Sequence, residues 1–243
     1  MAGAGGERRE ASAVVIAPHL QIAIDGPAGS GKTTVAHALA QRLGILYLDT
    51  GAMYRAVASE VLAAGLDADN EAAVLRICAM HPIDVRLDAN APMGFRVFAG
   101  ARELQSAMLQ SNTVSAVVST IAAHPHVREA LVLEQRRIAL CGPVVMAGRD
   151  IGSVVLPDAP VKIYLTATVE ARVSRRRAQL LSAGVDVALH QLAREIEERD
   201  SLDENRAVSP LQIAPDAHVI DSSLLSVDEV VARITALAHH LAA

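Results

Sequence analysis

The sequence predicts an α/β fold in three layers, with helices on both sides of a central parallel sheet. Three observations carry this. Leu20 to Ile24 is a short apolar run that passes through a glycine turn into a helical pattern from Thr33 to Leu43, the order strand, turn, helix. Further short strand-like runs at 45–48, 143–146, 161–166 and 218–221 alternate with helical segments, as parallel strands with helical crossovers do. Aromatic residues make up only 2% of the chain, so Val, Leu, Ile and Ala must fill the space between the layers.

Taken in order, residues 1–18 begin Gly/Ala-rich and charged, with Arg8 and Arg9 ahead of a short apolar stretch. A secretion signal needs a longer apolar run and a cleavage region, so these residues read as a loose N-terminal extension to one domain, 19–243. Ile45-Leu46-Tyr47-Leu48 is the second strand, and Asp49-Thr50-Gly51 caps a helix from Ala52 to Ala64 with Tyr54 and Arg55 in its first turn. A helix follows from Glu71 to Met80. The period then changes to two: Ile83 to Leu87 and Phe95 to Phe98 flank Asn90, Pro92 and Gly94, which predicts a hairpin inserted in the αβ chain. Helices resume at Thr113 to Ala122 and Val127 to Leu140, broken at His124-Pro125.

Pro143 to Met146 is an interior strand that runs straight into Gly148-Arg149-Asp150. In an open parallel sheet, ligands bind beyond the carboxyl ends of the strands, so Arg149 and Asp150 are placed to face one. Val161 to Thr166 is the next strand, followed by an arginine-rich helix, a break at Ser182-Ala183-Gly184 and a helix from Val187 to Asp200. A late strand at His218 to Asp221 and a helix from Val227 to Leu241 close the chain.

The first glycine turn, Gly26-Pro27-Ala28-Gly29-Ser30-Gly31-Lys32-Thr33, fits the pattern G-x-x-x-x-G-K-[ST] in its required setting. Glycines let backbone N–H groups converge on an anion, and the new helix adds its first-turn N–H groups and positive dipole end. Lys32 adds a full charge, and Thr33, with Thr34 beside it, places a hydroxyl on Mg²⁺, so a nucleoside triphosphate with its metal is the expected ligand. Lys32 is one of only two lysines among 22 basic residues, the other being Lys162, so its place in the motif is not background.

A net charge of -5 gives no general affinity for polyanions and makes nucleic acid an unexpected partner. No apolar run reaches the roughly 18 residues that span a bilayer. Cys78 and Cys141 lack metal-type spacing, cannot form a framework of several disulfides, and read as small core residues in a reducing compartment. Positive charge is concentrated in Arg172, Arg175, Arg176, Arg177, Arg199 and Arg206, a pattern suited to a small, highly charged ligand. Arg194 with Glu195, Glu197 and Glu198 reads instead as a solvated helix face.

The glycine loop alone leaves ATPase, GTPase and kinase open. No Asn-Lys-x-Asp guanine-reading motif is present, and Val144 to Met146 leads to Gly148-Arg149-Asp150 rather than to an acidic pair. The arginine cluster favours phosphoryl transfer between two phosphorylated molecules, because two anions must be held together against their repulsion.

From Ile22 to about Leu225 the chain resembles the bacterial cytidylate kinases, a family of nucleoside monophosphate kinases. The resemblance is carried by Ile24-Asp25-Gly26-Pro27 leading into the loop, by Leu48-Asp49-Thr50-Gly51-Ala52-Met53-Tyr54-Arg55, and by Gly148-Arg149-Asp150-Ile151-Gly152 with Leu156-Pro157-Asp158-Ala159-Pro160. Arg199-Asp200 through Asp203, Arg206 and Ser209-Pro210-Leu211 complete it. It implies a P-loop NTPase fold with an inserted monophosphate-binding subdomain at about 81–111 and an arginine-rich lid at about 172–186. The implied reaction moves the γ-phosphoryl of Mg-ATP to CMP or dCMP in the cytoplasm, in a monomer. The implied monophosphate site comprises Thr50, Arg55, Ser119, Arg128, Arg149, Asp150, Arg199, Asp203 and Arg206. In it, Arg55, Arg149 and Arg206 take the phosphate, Ser119, Arg128 and Asp150 the cytosine, and Arg199 and Asp203 the ribose. Lid residues Arg172, Arg175 and Arg176 join Lys32 and Arg149 in stabilising migrating charge. Departures are Leu109-Gln110-Ser111 where Ile-Arg-Thr is common, Thr50 for serine, Ser153 for threonine, and Leu202 and Glu204 where basic residues are frequent.

Overall fold

The computed structural model describes residues 17–241 apart from 89, 92 and 183. The expected extension at 1–18 thus lies almost wholly outside the described residues, as does Ala183 of the expected break. The chain runs β1 (Gln21–Asp25), α1 (Lys32–Leu43), β2 (Leu46–Asp49), α2 (Gly51–Ala63) and α3 (Glu71–Met80) into β3 (Ile83–Leu87), β4 (Phe95–Ala99) and β5 (Arg102–Leu104). It continues through α4 (Ser106–Leu109), α5 (Asn112–Ala123), α6 (Pro125–Ala139), β6 (Val144–Ala147) and a π-helical turn at Ile151–Val155. The last elements are β7 (Val161–Thr166), α7 (Val169–Ser182), α8 (Leu189–Glu204), β8 (His218–Asp221) and α9 (Val227–Leu241).

Five strands form a parallel sheet in the order β2-β6-β1-β7-β8. The three inner strands are apolar on both faces, with Ile22, Ile24, Val144, Val145, Met146, Val161 and Leu165 buried, as strands covered on both sides must be. In β8, at the edge, only Ile220 is buried. Ile24 pairs with Ala147, Asp49 with Ala147, Asp25 with Tyr164 and Thr166 with Asp221. The carboxyl ends of all five strands therefore stand level along one edge. β1 is followed in space by β6 on one side and β7 on the other, so the strand order turns at the strand that feeds the glycine loop, where a crevice opens in this topology.

Helices α1 and α9 pack together, while α2, α3, α5 and α6 form a second group whose apolar side chains join the same core. Local signals set the helix limits. Asn70 and Ser111 cap α3 and α5 through the amides of Ala73 and Val114, Pro125 opens α6, and Gly44, at φ 66°, ends α1.

The inserted hairpin is a three-stranded antiparallel sheet, β3-β4-β5. Its third strand is three residues long, too short for a period-two signal. Val85, Phe95, Val97 and Leu104 bury into the main core, and Arg102 pairs with the buried Glu60 of α2. Helices α7 and α8 form a hairpin with its own small core of Val173, Leu192 and Ile196, and α8 continues past Asp200 to Glu204. Cys78 is half-buried, but Cys141 is exposed just beyond α6, which corrects its reading as a core residue. Among the described residues no helix is long and apolar enough to cross a membrane.

Candidate active site

The site is built on the level edge of the sheet. After Asp25 the chain turns through Gly26 at φ 145°, where a Cβ would lie 2.0 Å from the Leu165 carbonyl oxygen of β7, so only glycine fits. Gly29 and Gly31 also hold positive φ, and Gly31 opens α1 without a side-chain cap. The first-turn N–H groups of α1 are therefore left to a ligand. Pro27 supplies its carbonyl to Lys32 Nζ at 2.7 Å. Burial, with Arg149 close by, holds the Lys32 ammonium well below the usual lysine pKa, and Asp49, Asp25 and Asp203 pull the other way. Ser30 Oγ is buried with no protein partner. Thr33 and Thr34 are exposed on the first turn, and Thr33 Oγ1 donates to Asp49 Oδ2 at 3.1 Å.

Two arginines of α7 are engaged with this loop. Arg172 is buried, pairs with Asp200 of α8 and donates to the Ala28 carbonyl at 3.1 Å. Arg175 donates to the Ser30 carbonyl at 3.2 Å and to Ser222 Oγ at 3.1 Å, while Ser222 itself donates to the Ser30 carbonyl at 3.0 Å. Arg177 turns away to Asp186 at 3.6 Å. Arg176 is half-buried, and its charge bears on Arg55 and Arg199. The arginine run thus splits: two brace the loop, Arg176 donates to Gln179 of its own helix at 2.9 Å with its charge near Arg55 and Arg199, and Arg177 pairs within the helical hairpin.

The second site lies where β6 ends. Arg149 Nε donates to Asp203 Oδ2 of α8 at 2.7 Å. Burial would raise the Asp203 carboxyl, but Arg149, Arg206 and Arg199 draw it below the usual range. Arg199 is half-buried, and desolvation, with Arg149, Arg55 and Arg176 close by, lowers its guanidinium to about 10, while its Nε has no protein partner. Arg206 donates to the Ser209 carbonyl at 2.9 Å, and Ser209 takes a left-handed φ of 52° to present it. Arg55 reaches out from α2 to Ser115 Oγ at 2.9 Å and the Leu109 carbonyl at 3.2 Å. Asp203 offsets part of this positive charge, and clusters of perturbed cations of this kind are a recurrent feature of sites that take anions.

Beside this cluster, Asp150 and Arg128 form a buried ion pair, 4% and 2% exposed. Arg128 also donates to the Ala122 carbonyl at 3.0 Å and lies 5.3 Å from the Tyr54 ring centroid. Ser119 sits half-buried on α5, one turn before that carbonyl. Thr50 is buried, and its hydroxyl donates to the Ala147 carbonyl at 3.0 Å. It packs against Gly148, where a Cβ would lie 2.7 Å from Thr50 Oγ1.

The structure therefore brings Arg55, Arg128, Arg149, Asp150, Arg199, Asp203 and Arg206 into one region next to the glycine loop. Sequence reasoning gave Asp49 only a helix-capping role and gave none to Asp25, Ser115, Asp200 or Ser222. Asp25 and Asp49 lie inside the motifs quoted above and end β1 and β2, a position that marks them once strands are assigned. The other three are recognisable only from their contacts.

The residues present suit Mg²⁺ arriving with a nucleotide. Thr33 and Asp49 offer one hydroxyl and one carboxylate, hard oxygen donors in the number Mg²⁺ uses when phosphates and water complete its shell. Among the described residues no group of three or more His, Cys, Asp and Glu could hold a metal without such help.

A family model described as cytidylate kinase matches residues 22–240. A cytidylate kinase of Exiguobacterium sibiricum is 48% identical over 90% of this chain and 96% of its own length. One from Pelotomaculum thermopropionicum is also 48% identical, over 88% of this chain and 94% of its own. Among solved structures, a gluconokinase from Sinorhizobium meliloti aligns over 92% of this chain and 94% of that one, at 15% identity and a TM-score of 0.41. The family match covers the glycine loop, the arginine cluster and the sheet that sets them side by side, and the chain belongs to the cytidylate kinase family.

Proposed function

We propose that this protein transfers the γ-phosphoryl of Mg-ATP to CMP, and to dCMP, giving ADP and CDP or dCDP. The single observation that carries the reading is the buried Asp150–Arg128 pair beside a second anion site. Cytosine offers an amine donor next to a ring nitrogen and a carbonyl acceptor. A carboxylate accepts from the first, and a guanidinium donates to the others.

The donor phosphates belong in the glycine loop, where Lys32 gains anionic oxygens in place of a neutral carbonyl. Mg²⁺, held through Thr33 and the Asp49 carboxylate, supplies charge neutralisation at the phosphates when bound. The acceptor phosphate belongs among Arg55, Arg149 and Arg206, with the ribose towards Arg199 and Asp203. An acceptor phosphate oxygen is already anionic, so no general base is needed. The chain's task is to align two anions against their repulsion and to meet the migrating charge with Lys32, Arg149 and Arg176. Arg172 and Arg175 act further out, by fixing the loop through its carbonyls.

A coupled assay of ADP formation across the nucleoside monophosphates tests this. A site that pairs a buried carboxylate with the cytosine amine leaves that carboxylate against a lone pair when uracil enters, at a cost of roughly 1–3 kcal/mol or more. The expected kcat/KM for CMP exceeds that for UMP by at least about 10²-fold. Asp150→Asn narrows the gap, because an amide can turn its donor to the uracil carbonyl. Equal use of both substrates by the wild type would remove the base-reading role from Asp150, Ser119 and Arg128.

A further inference from the structure

The turn that presents Arg149 and Asp150 is held by charges the reaction itself does not use. It follows β6 through Gly148, whose amide donates to the Ile24 carbonyl at 3.0 Å, and then winds into the π-helical stretch Ile151–Val155. Such a short helix leaves its first N–H groups and last carbonyls without partners of its own. Asp25 takes the first: Oδ1 accepts from the Ile151 amide at 2.8 Å and Oδ2 from the Gly152 amide at 2.7 Å, with Asp25 5% exposed. Arg136 of α6 takes the last, donating to the Val155 carbonyl at 3.0 Å and the Val154 carbonyl at 2.7 Å.

We propose that Asp25 and Arg136 are positioning residues for acceptor recognition, clamping opposite ends of the turn that carries Arg149 and Asp150. The inference rests on the proposed transfer to CMP.

Its force comes from where Asp25 sits. It is the last residue of β1 and the immediate neighbour of Gly26, which the Leu165 carbonyl allows no side chain. One carboxylate thereby ties the phosphate-donor loop to the loop that grips the acceptor, across 126 residues of sequence. The approach is close by construction: a Cβ on Gly152 would lie 3.4 Å from Asp25 Oδ2 and 3.2 Å from Lys162 Cδ. Burial pushes the Asp25 carboxyl up to about 6, while the Gly152 and Ile151 amides and the Lys32 charge work against that rise. Its two oxygens, each accepting from one amide, match two acceptors to two donors. An asparagine there keeps one acceptor and sets its amide N–H₂ against the other backbone N–H, which leaves a buried donor without a partner.

The test is steady-state kinetics and direct binding on Asp25→Asn and Arg136→Met. Binding is measured separately with CMP and with an ATP analogue, and folding by thermal melting. Expected for Asp25→Asn is a rise of at least about 10-fold in KM for CMP and a smaller CMP-to-UMP ratio, with ATP-analogue affinity within about threefold of wild type. Arg136 is exposed on its helix, so its variant should fold, and it should shift KM for CMP in the same direction by about threefold or more. A folded Asp25→Asn with wild-type KM and base ratio overturns the proposal. So does an equal loss of both ligands, which makes Asp25 a prop for the fold. If Asp25→Asn does not fold, Arg136→Met decides, and unchanged KM for CMP overturns it. Failure of the wild type to phosphorylate CMP would instead refute the proposed function, so the two failures are told apart.

Discussion

Lys32 concentrates the donor-site chemistry in one side chain. It is 7% exposed, its ammonium sits on a loop carbonyl, and Arg149 adds to the effect of burial in depressing its pKa. An amine held dry and already oriented takes up its proton beside entering phosphate oxygens and then stabilises developing charge without reorganisation, and removing such a group typically costs about 10²–10³ in kcat. Lys32→Ala should therefore lose at least about 10²-fold in kcat with its melting transition retained, as measured by the coupled assay and circular dichroism. Turnover near wild type would contradict the donor-loop assignment. The Arg128–Asp150 pair calls for gentler changes: truncating one partner of a buried pair costs about 3–5 kcal/mol, so alanine there reports on folding as much as on base reading.

At the scale of elements, the helical hairpin α7–α8 combines a fixed root with a loosely held tip. Arg172 and Arg175 bind the root to the glycine loop and to Ser222, whereas the rest of the hairpin is held by a small cluster in which only Val173, Leu192 and Ile196 are buried and Val169, Leu180, Val187 and Ala193 pack partly buried against them. Segments with few buried apolar contacts open first. Hydrogen exchange with and without a bisubstrate analogue should show protection gained at about 178–191 and little change at 169–176. Equal exchange throughout in both states would remove the lid. Legibility in the sequence divides along similar lines. The sheet strands were readable because each is an apolar run bounded by turn residues, and the glycine loop because its residue types sit at fixed spacing. β5 was not, since three residues carry no period. Nor was the π-helical turn, which is shorter than any periodic signal. Arg55 and Arg128 were expected at the site through family resemblance, and Arg149 and Asp150 also from their place after β6, but the bracing role of Arg172 and Arg175 required the fold, because their partners Ala28, Ser30 and Ser222 lie 47 to 145 residues away.

For the whole molecule, the level sheet edge sets the glycine loop beside the arginine cluster, and the distribution of basic residues has a separate consequence. Of 22 basic residues 20 are arginine, and both lysines, Lys32 and Lys162, are 7% exposed. Lys162 is further occupied by Asp216 at 2.8 Å. Acylating reagents attack neutral amines, so the surface formed by the described side chains offers them almost none, and burial, which depresses the Lys32 pKa, favours its neutral amine. Brief treatment with a small acylating reagent at neutral pH, followed by peptide mass spectrometry, should place side-chain adducts on Lys32 ahead of Lys162, and saturating Mg-ATP should suppress them. Adducts on Lys32 undiminished by nucleotide would speak against phosphate in the loop. A chemistry that labels most proteins across their whole surface thus becomes, in this chain, a reporter on the occupancy of a single loop.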